Sequence, residues 1–227
     1  MVNFNAIATI FKTKMISSFN IKYIFSLLLI SSITICTYSQ TKRVKKADGF
    51  FISEYHVLSS DTSKKEGTYR LFYKNRIIEN GAFTENKQTG KWQFFSLNGV
   101  LEYEYDFNSK KILKLAGKNN QDIKNKTPCL FLGSPLIPYL YIVNKMHYPE
   151  KARDKKIGGR VILALKINSN GELWSMYLFK KLDPMLDKEV MRVARSFPAS
   201  WKWLPATLKG KNIEGEYMIT IEFDPKE

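Results

Sequence analysis

Val161, Leu163, Leu165 and Ile167 alternate with Arg160, Ile162, Ala164 and Lys166. A period of two over that length specifies a strand with one buried face. Asn168, Ser169, Asn170 and Gly171 follow, residues that tolerate positive φ, so the chain reverses there. The run from Leu173 to Leu182 then pairs back on the first strand. Within it Leu173, Met176 and Leu178 fall out of strict alternation, which predicts a bulge near Trp174 and Ser175 that switches faces mid-strand. A lone hairpin is marginal in water and needs a further strand or a helix on its apolar face.

The flanking sequence supplies both. Tyr148, Pro149, Glu150, Lys151 and Ala152 predict a short helix, with proline in its first turn and an acid at its positive end. Gly158 and Gly159 are expected to close it. Asp183 caps and Pro184 opens a longer helix, in which Leu186, Val190, Val193 and Phe197 recur at helical spacing and Pro198 sets the stop. Asp183 and Asp187 are four apart; the capping preference assigns Asp183 to the cap and leaves Asp187 solvated near the positive end. Tyr217, Ile219, Ile221 and Phe223 alternate with Met218, Thr220 and Glu222 in a last strand. The order is helix, strand, strand, helix, strand. A crossover helix returns the third strand beside the first, so the spatial order is second, first, third. The last strand then lies on an edge with unpaired backbone groups.

Upstream the text changes. From Gly49 to Gly117 aromatics, glycine and asparagine dominate, and EGTYRLFYKNRII aligns on TGKWQFFSLNGVL at a spacing of 23 residues. Each unit reads as a glycine, a strand with aromatics on one face, an asparagine turn and a return strand. Tyr69, Phe72, Trp92 and Phe95 form either a ligand-binding face or the stacked interior of a small sheet, the ordinary role of aromatics. GKNNQDIKNKT, Gly117 to Thr127, is polar and aperiodic, as a linker is. Beyond it Cys129 to Gly133 is apolar, and Ser134 with Pro135 or Pro138 starts a helix whose Tyr139, Ile142, Val143 and Met146 share a face. The expected organisation is a leader over 1–39, a β-repeat region over 45–117, a linker over 118–128 and a C-terminal domain over 129–227. The fold class is α+β.

The leader reading rests on Lys12, Lys14 and Lys22 ahead of an apolar run from Tyr23 to Ile35, then Thr37, Tyr38 and Ser39. That is the three-part layout of a signal peptide, with cleavage near the Ser39 to Gln40 bond. An uncleaved anchor is the alternative, from a run shorter than the roughly 20 residues that cross a bilayer; Cys36 as an acylated residue is a third. With the leader gone Cys129 is the only cysteine, so the exported part relies on packing without an internal disulfide. The charge falls from +15 to +12 as three lysines leave. Such an excess suits lipid headgroups, cell-wall polymers or acidic proteins; export argues against nucleic acid.

No catalytic constellation is visible. His56 and His147 are far apart and lack metal-ligand partners at short spacing. There is no G-x-S-x-G, no phosphate-binding loop and no dinucleotide fingerprint. The expectation is a protein that is not an enzyme, with no cofactor and no metal.

Two resemblances follow from these residues. The repeat segment, about 66–107, resembles degenerate MORN-type repeats, with Arg76 where the second unit has the turn glycine Gly99. YPEKAR, GRVILALKINSNGEL, LDPMLDKEVMRVARSF, the W-x-P-A of Trp203 to Ala206 and GKNIEGEYMITIEF together resemble the C-terminal domain of TonB, over about 131–223, with an FLGSPL to NKMHYP lead-in of the Bacteroidetes type. The TonB resemblance implies a periplasmic, envelope-associated domain that takes a short segment of an outer-membrane transporter as an added strand on its sheet edge. It carries the partner-binding role to the final strand: Glu216, Met218, Ile219, Thr220 and Glu222. A retained leader would instead imply a membrane-anchored energy transducer for transport. The family's long proline-rich spacer is replaced here by the repeats, which, as a basic scaffold, imply contact with lipid or cell wall.

Overall fold

The computed structural model describes residues 40–225, and the leader expected at 1–39 lies outside the described residues. Thr41–Glu227 forms one compact unit. Its first layer is a meander of seven antiparallel strands: β1 (Thr41–Asp48), β2 (Phe51–Leu58), β3 (Lys65–Tyr73), β4 (Arg76–Thr84), β5 (Lys87–Phe95), β6 (Leu101–Asp106) and β7 (Lys111–Leu115). They neighbour one another in chain order. The two self-similar segments fold as the β3–β4 and β5–β6 hairpins. Lys74 with Asn75, and Glu85 with Asn86, adopt consecutive positive φ. Two such residues form the two-residue turn whose twist matches that of the strands it joins.

The sheet's two faces differ in chemistry. On one, Lys45, Glu54, Arg70, Asn80, Gln93, Glu104 and Lys114 are successive cross-strand partners, one per strand. Asn80 Nδ2 donates to Gln93 Oε1 at 3.2 Å and Gln93 Nε2 to Glu104 Oε2 at 3.1 Å, while Lys114 Nζ lies 3.6 Å from Glu104. On the other face Tyr69 stacks on Trp92 at 5.3 Å and Phe94 on Tyr103 at 4.5 Å. Trp92, 1% exposed, sits over Gly81, where a Cβ would lie 2.2 Å from its ring. Tyr69 and Trp92 are therefore stacked interior. Phe72 and Phe95 are not on that face: each lies three positions from its partner aromatic, and alternation turns an odd offset to the opposite side, where Phe72 pairs with Ile52.

The segments after the meander cover the aromatic face, through Leu130, Leu132 and Leu204. Residues 118–128, expected as a linker, hold α1 (Asn120–Asn125), whose capping box joins Asn119 and Asp122, and β8 (Lys126–Thr127). Then come β9 (Leu130–Phe131), α2 (Leu136–Lys145), α3 (Glu150–Asp154), β10 (Gly159–Ile167), β11 (Leu173–Lys180) and α4 (Pro184–Ala194). Three short strands, β12 (Trp203–Leu204), β13 (Ala206–Leu208) and β14 (Lys211–Ile213), precede β15 (Gly215–Phe223). β9 pairs with β12, and β8 with β13. The expected helix, strand, strand, helix, strand order is present as α3, β10, β11, α4 and β15, and the three-stranded antiparallel sheet runs β11, β10, β15. Val161, Leu163, Leu165 and Ile167 share one core with Leu186, Val190, Val193, Ile219 and Ile221.

Two local expectations are corrected. The left-handed residue after α3 is Lys156, at φ 51°, and not a glycine; its N–H donates to the Arg153 carbonyl. Helix α2 buries more than one face. Leu136 and Leu140 pack on Leu71, Tyr73 and Ile78 of the meander, while Ile142 enters the other core and Val143 is exposed. A helix wedged between two apolar layers has two buried stripes, and a one-face reading finds only part of one.

Candidate functional site

The expected site residues sit on β15, at an edge of the three-stranded sheet. β10 and β15 pair from Gly159↔Phe223 to Ile167↔Gly215 with no shift in register. Tyr217, Ile219, Ile221 and Phe223 face the core, so Glu216, Met218, Thr220 and Glu222 lie exposed on the opposite face. Ile219 is 4% exposed and presents its backbone alone. Among the described residues, no backbone hydrogen bond from another segment reaches β15 on the side away from β10.

The opposite edge is different. Ile162 pairs with Lys180 and Leu163 with Leu178, which leaves Phe179 unopposed; Lys166 pairs with Ser175 and Ile167 with Leu173, which leaves Trp174 unopposed. The bulge expected near Trp174 is present, and a second occurs at Phe179, where no break in the pattern announces it. Bulges twist an edge away from further pairing. Of the two edges of this sheet, β15 is the one that offers a regular row of backbone donors and acceptors.

Sequence reasoning missed two contacts that fix the acids of β15, because both depend on cross-strand register. Tyr177 Oη donates to Glu216 Oε1 at 2.9 Å, across β10, and that hydrogen bond, ahead of desolvation and the charge of the acid, pushes the tyrosine's pKa up. Arg160 Nη2 lies 3.5 Å from Glu222 Oε1. Lys166, opposite Glu216, instead holds its Nζ 5.4 Å from the Trp174 ring and 5.7 Å from that of Tyr177.

The remaining candidates are structural. Cys129 is buried, and burial pushes its thiol pKa up, which suppresses the reactive thiolate. His56 Nδ1 and Thr68 Oγ1 lie 2.9 Å apart on the meander, and His147 donates its N–H to Glu189 Oε1 at 2.8 Å. Among the described residues no group of acids, histidines and cysteines is placed to hold a metal. Asp183 accepts from the Met185 N–H as the cap of α4. Asp187 is half-buried and accepts from the Leu182 N–H at 3.0 Å, so it is a second lock on the helix start and not the solvated carboxylate expected.

Two buried acids were not anticipated, Glu104, which takes the bonds of the polar row, and Glu79. Glu79, 7% exposed, accepts from the Ser134 N–H at 2.8 Å where the meander meets the lead-in to α2. Burial raises its pKa to about 7, against the lowering effect of that bond. Beside it Tyr103 Oη donates to the Phe131 carbonyl and accepts from the Gly133 N–H at 3.0 Å.

Comparison with known proteins addresses the segment that carries this edge. Residues 144–225 match the family model of the Gram-negative bacterial TonB protein C-terminal. The TonB match runs from the end of α2 through β15 and leaves the lead-in from Phe131 outside it. Two solution structures of the Helicobacter pylori TonB C-terminal domain are similar to this chain. The one spanning residues 179–285 is 20% identical, with 37% of this chain and 73% of that chain covered and a TM-score of 0.29. The one spanning 194–285 is 22% identical, with 40% and 94% covered and a TM-score of 0.30. No curated protein matches the chain.

Proposed function

We propose that this chain is an exported, non-enzymatic interaction protein whose TonB-type sheet takes up an extended segment of an outer-membrane transporter, or another envelope protein, as a strand added along β15. The observation that carries the reading is the contrast between the two edges: nine pairs without a register shift behind β15, and two bulges on β11. Strand addition draws affinity from backbone hydrogen bonds and needs such an unbroken row. Glu216, Met218, Ile219, Thr220 and Glu222 line it. The leader places the protein in the periplasm after cleavage near Gln40, and an N-terminus read at Gln40 on the exported protein excludes the anchored-transducer alternative.

In an antiparallel edge strand the backbone groups of successive residues point alternately to the neighbouring strand and to the open side. Of Ile219→Pro and Thr220→Pro, one therefore removes an N–H bonded to β10 and the other an outward N–H that an edge strand can lose without unfolding. The second keeps a native circular dichroism spectrum and loses capture of the transporter from an outer-membrane extract. A natively folded pair of variants that both bind undiminished sinks the reading.

A second reading, contact with a membrane surface through the repeats, is favoured by one observation. The turns after β1, β3 and β5 lie at one end of the meander, and they carry exposed Phe50 (58%), Leu97 (44%) and Val100 (57%), with Ile77 beside them. Lys74 occupies the middle turn, and Arg76 Nη1 donates to the Leu97 carbonyl at 3.0 Å. Apolar tips among cations suit the boundary of an anionic bilayer. Phe50→Ser combined with Val100→Ser is expected to weaken sedimentation with phosphatidylglycerol vesicles roughly tenfold or more, from lost apolar burial. Unchanged sedimentation removes this reading and leaves the first intact.

A further inference from the structure

The charge along β15 runs against that of the whole molecule. The chain has 36 lysines and arginines against 21 acids. Yet Glu214, Glu216, Glu222 and Asp224 stand in and beside β15, and no lysine or arginine occurs from 212 to 225. Two of these acids, Glu216 and Glu222, flank Met218 and Thr220 on the exposed face of the strand. Their existing partners leave them accessible. Arg160 meets Glu222 with both side chains more than half exposed, and Tyr177 holds Glu216 by a neutral hydroxyl, without a salt bridge to it among the described residues.

We infer that the segment taken up at β15 is basic: an extended peptide with lysine or arginine at two positions six residues apart on one face, opposite Glu216 and Glu222, and with apolar residues between. This rests on the strand-addition reading. A strand added beside β15 lies about 4.8 Å away, and its side chains on the outer face stand directly opposite those of β15. Directly opposed unlike charges stabilise such a pair and like charges destabilise it. Met218, 42% exposed, offers an apolar contact to one intervening position. The side chains between, pointing the other way, come beside Tyr217, Ile219 and Ile221 and are apolar for the same reason that those residues are.

The test uses the full exported chain and two labelled, end-blocked peptides of alternating valine and threonine that differ only at positions one and seven, which are lysine in the first and glutamate in the second. Binding is read by fluorescence anisotropy, and the place of binding by amide exchange across 214–224. The lysine peptide is expected to bind roughly three- to tenfold more tightly at low salt, with the gap closing as salt rises. In the double variant Glu216→Lys, Glu222→Lys the preference reverses. Equal binding of both peptides, with slowed exchange along β15, overturns the charge preference and leaves strand addition standing. Binding without protection of 214–224, or none by either peptide, overturns both.

Discussion

Glu79 is the residue whose environment is most at odds with its chemistry, and its effect on stability has a definite sign. Its carboxyl titrates near 7 when folded and near 4.5 when unfolded. Between those values the folded chain binds the additional proton, so stability falls as pH rises from about 4.5 to 7 and is flat above. A shift of that size corresponds to on the order of 3 kcal/mol. The other shifted carboxyls are held down, Glu54 and Glu189 by bonds from Arg43 and Arg192, Asp61 and Asp106 by bonds from Ser63 and Ser109, so each loses its contribution only as pH falls below its unfolded value. Glu79→Gln keeps an acceptor for the Ser134 N–H and removes the charge. Urea denaturation at pH 4.5 is expected to agree for the two proteins within about 1 kcal/mol, and at pH 7.5 the variant is the more stable. The same slope in both proteins would assign the effect to another group. Glu79 was illegible in the sequence because it occupies an ordinary strand position in IIENGAF; only the covering lead-in makes it buried.

Among the elements, those whose signal is local were legible and those defined by a distant neighbour were not. The period of two in Val161 to Ile167, the Asn-Gly reversal, the Asp183 cap and the bulge at Trp174 all follow from residues within a few positions. The segment 118–128 appeared structureless because α1 has no apolar stripe; it is held by its capping box and by β8, which pairs with β13 some 80 residues on. The candidate site was legible as a strand, and its regular register and the tyrosine and arginine that meet its acids were not. In the meander, β4 depends on a contact that alternation alone does not reveal. Gly81 lies under the Trp92 indole, whose Nε1 also donates to the Ala82 carbonyl at 3.1 Å. Gly81→Ala forces the ring aside, and a loss of about 1–3 kcal/mol is expected in denaturant titrations, with a change in tryptophan fluorescence. Unaltered stability and emission would place the ring elsewhere.

For the whole molecule, the lead-in from Leu130 to Leu140 joins two layers that read as separate in sequence. Leu130, Leu132 and Leu204 pack on the aromatic face of the meander, while Phe131 and Trp203 turn to the other core. Adjacent residues of one strand thus serve different layers. The two larger sheets have four outer edges between them, and these are not equally guarded. β1 bears Lys42, Arg43, Lys45 and Lys46, β7 bears Lys111 and Lys114, and β11 is bulged twice. Lysine-rich or bulged edges resist indiscriminate pairing. The stretch from Tyr217 to Phe223 is rich in β-branched and aromatic residues, with one charge and neither proline nor glycine, the composition that seeds cross-β aggregates. A chain awaiting its partner is therefore vulnerable to aggregation along this line. Glu216 and Glu222, at or near its ends, act there as gatekeepers: identical copies meeting in parallel register would set glutamate against glutamate and repel one another.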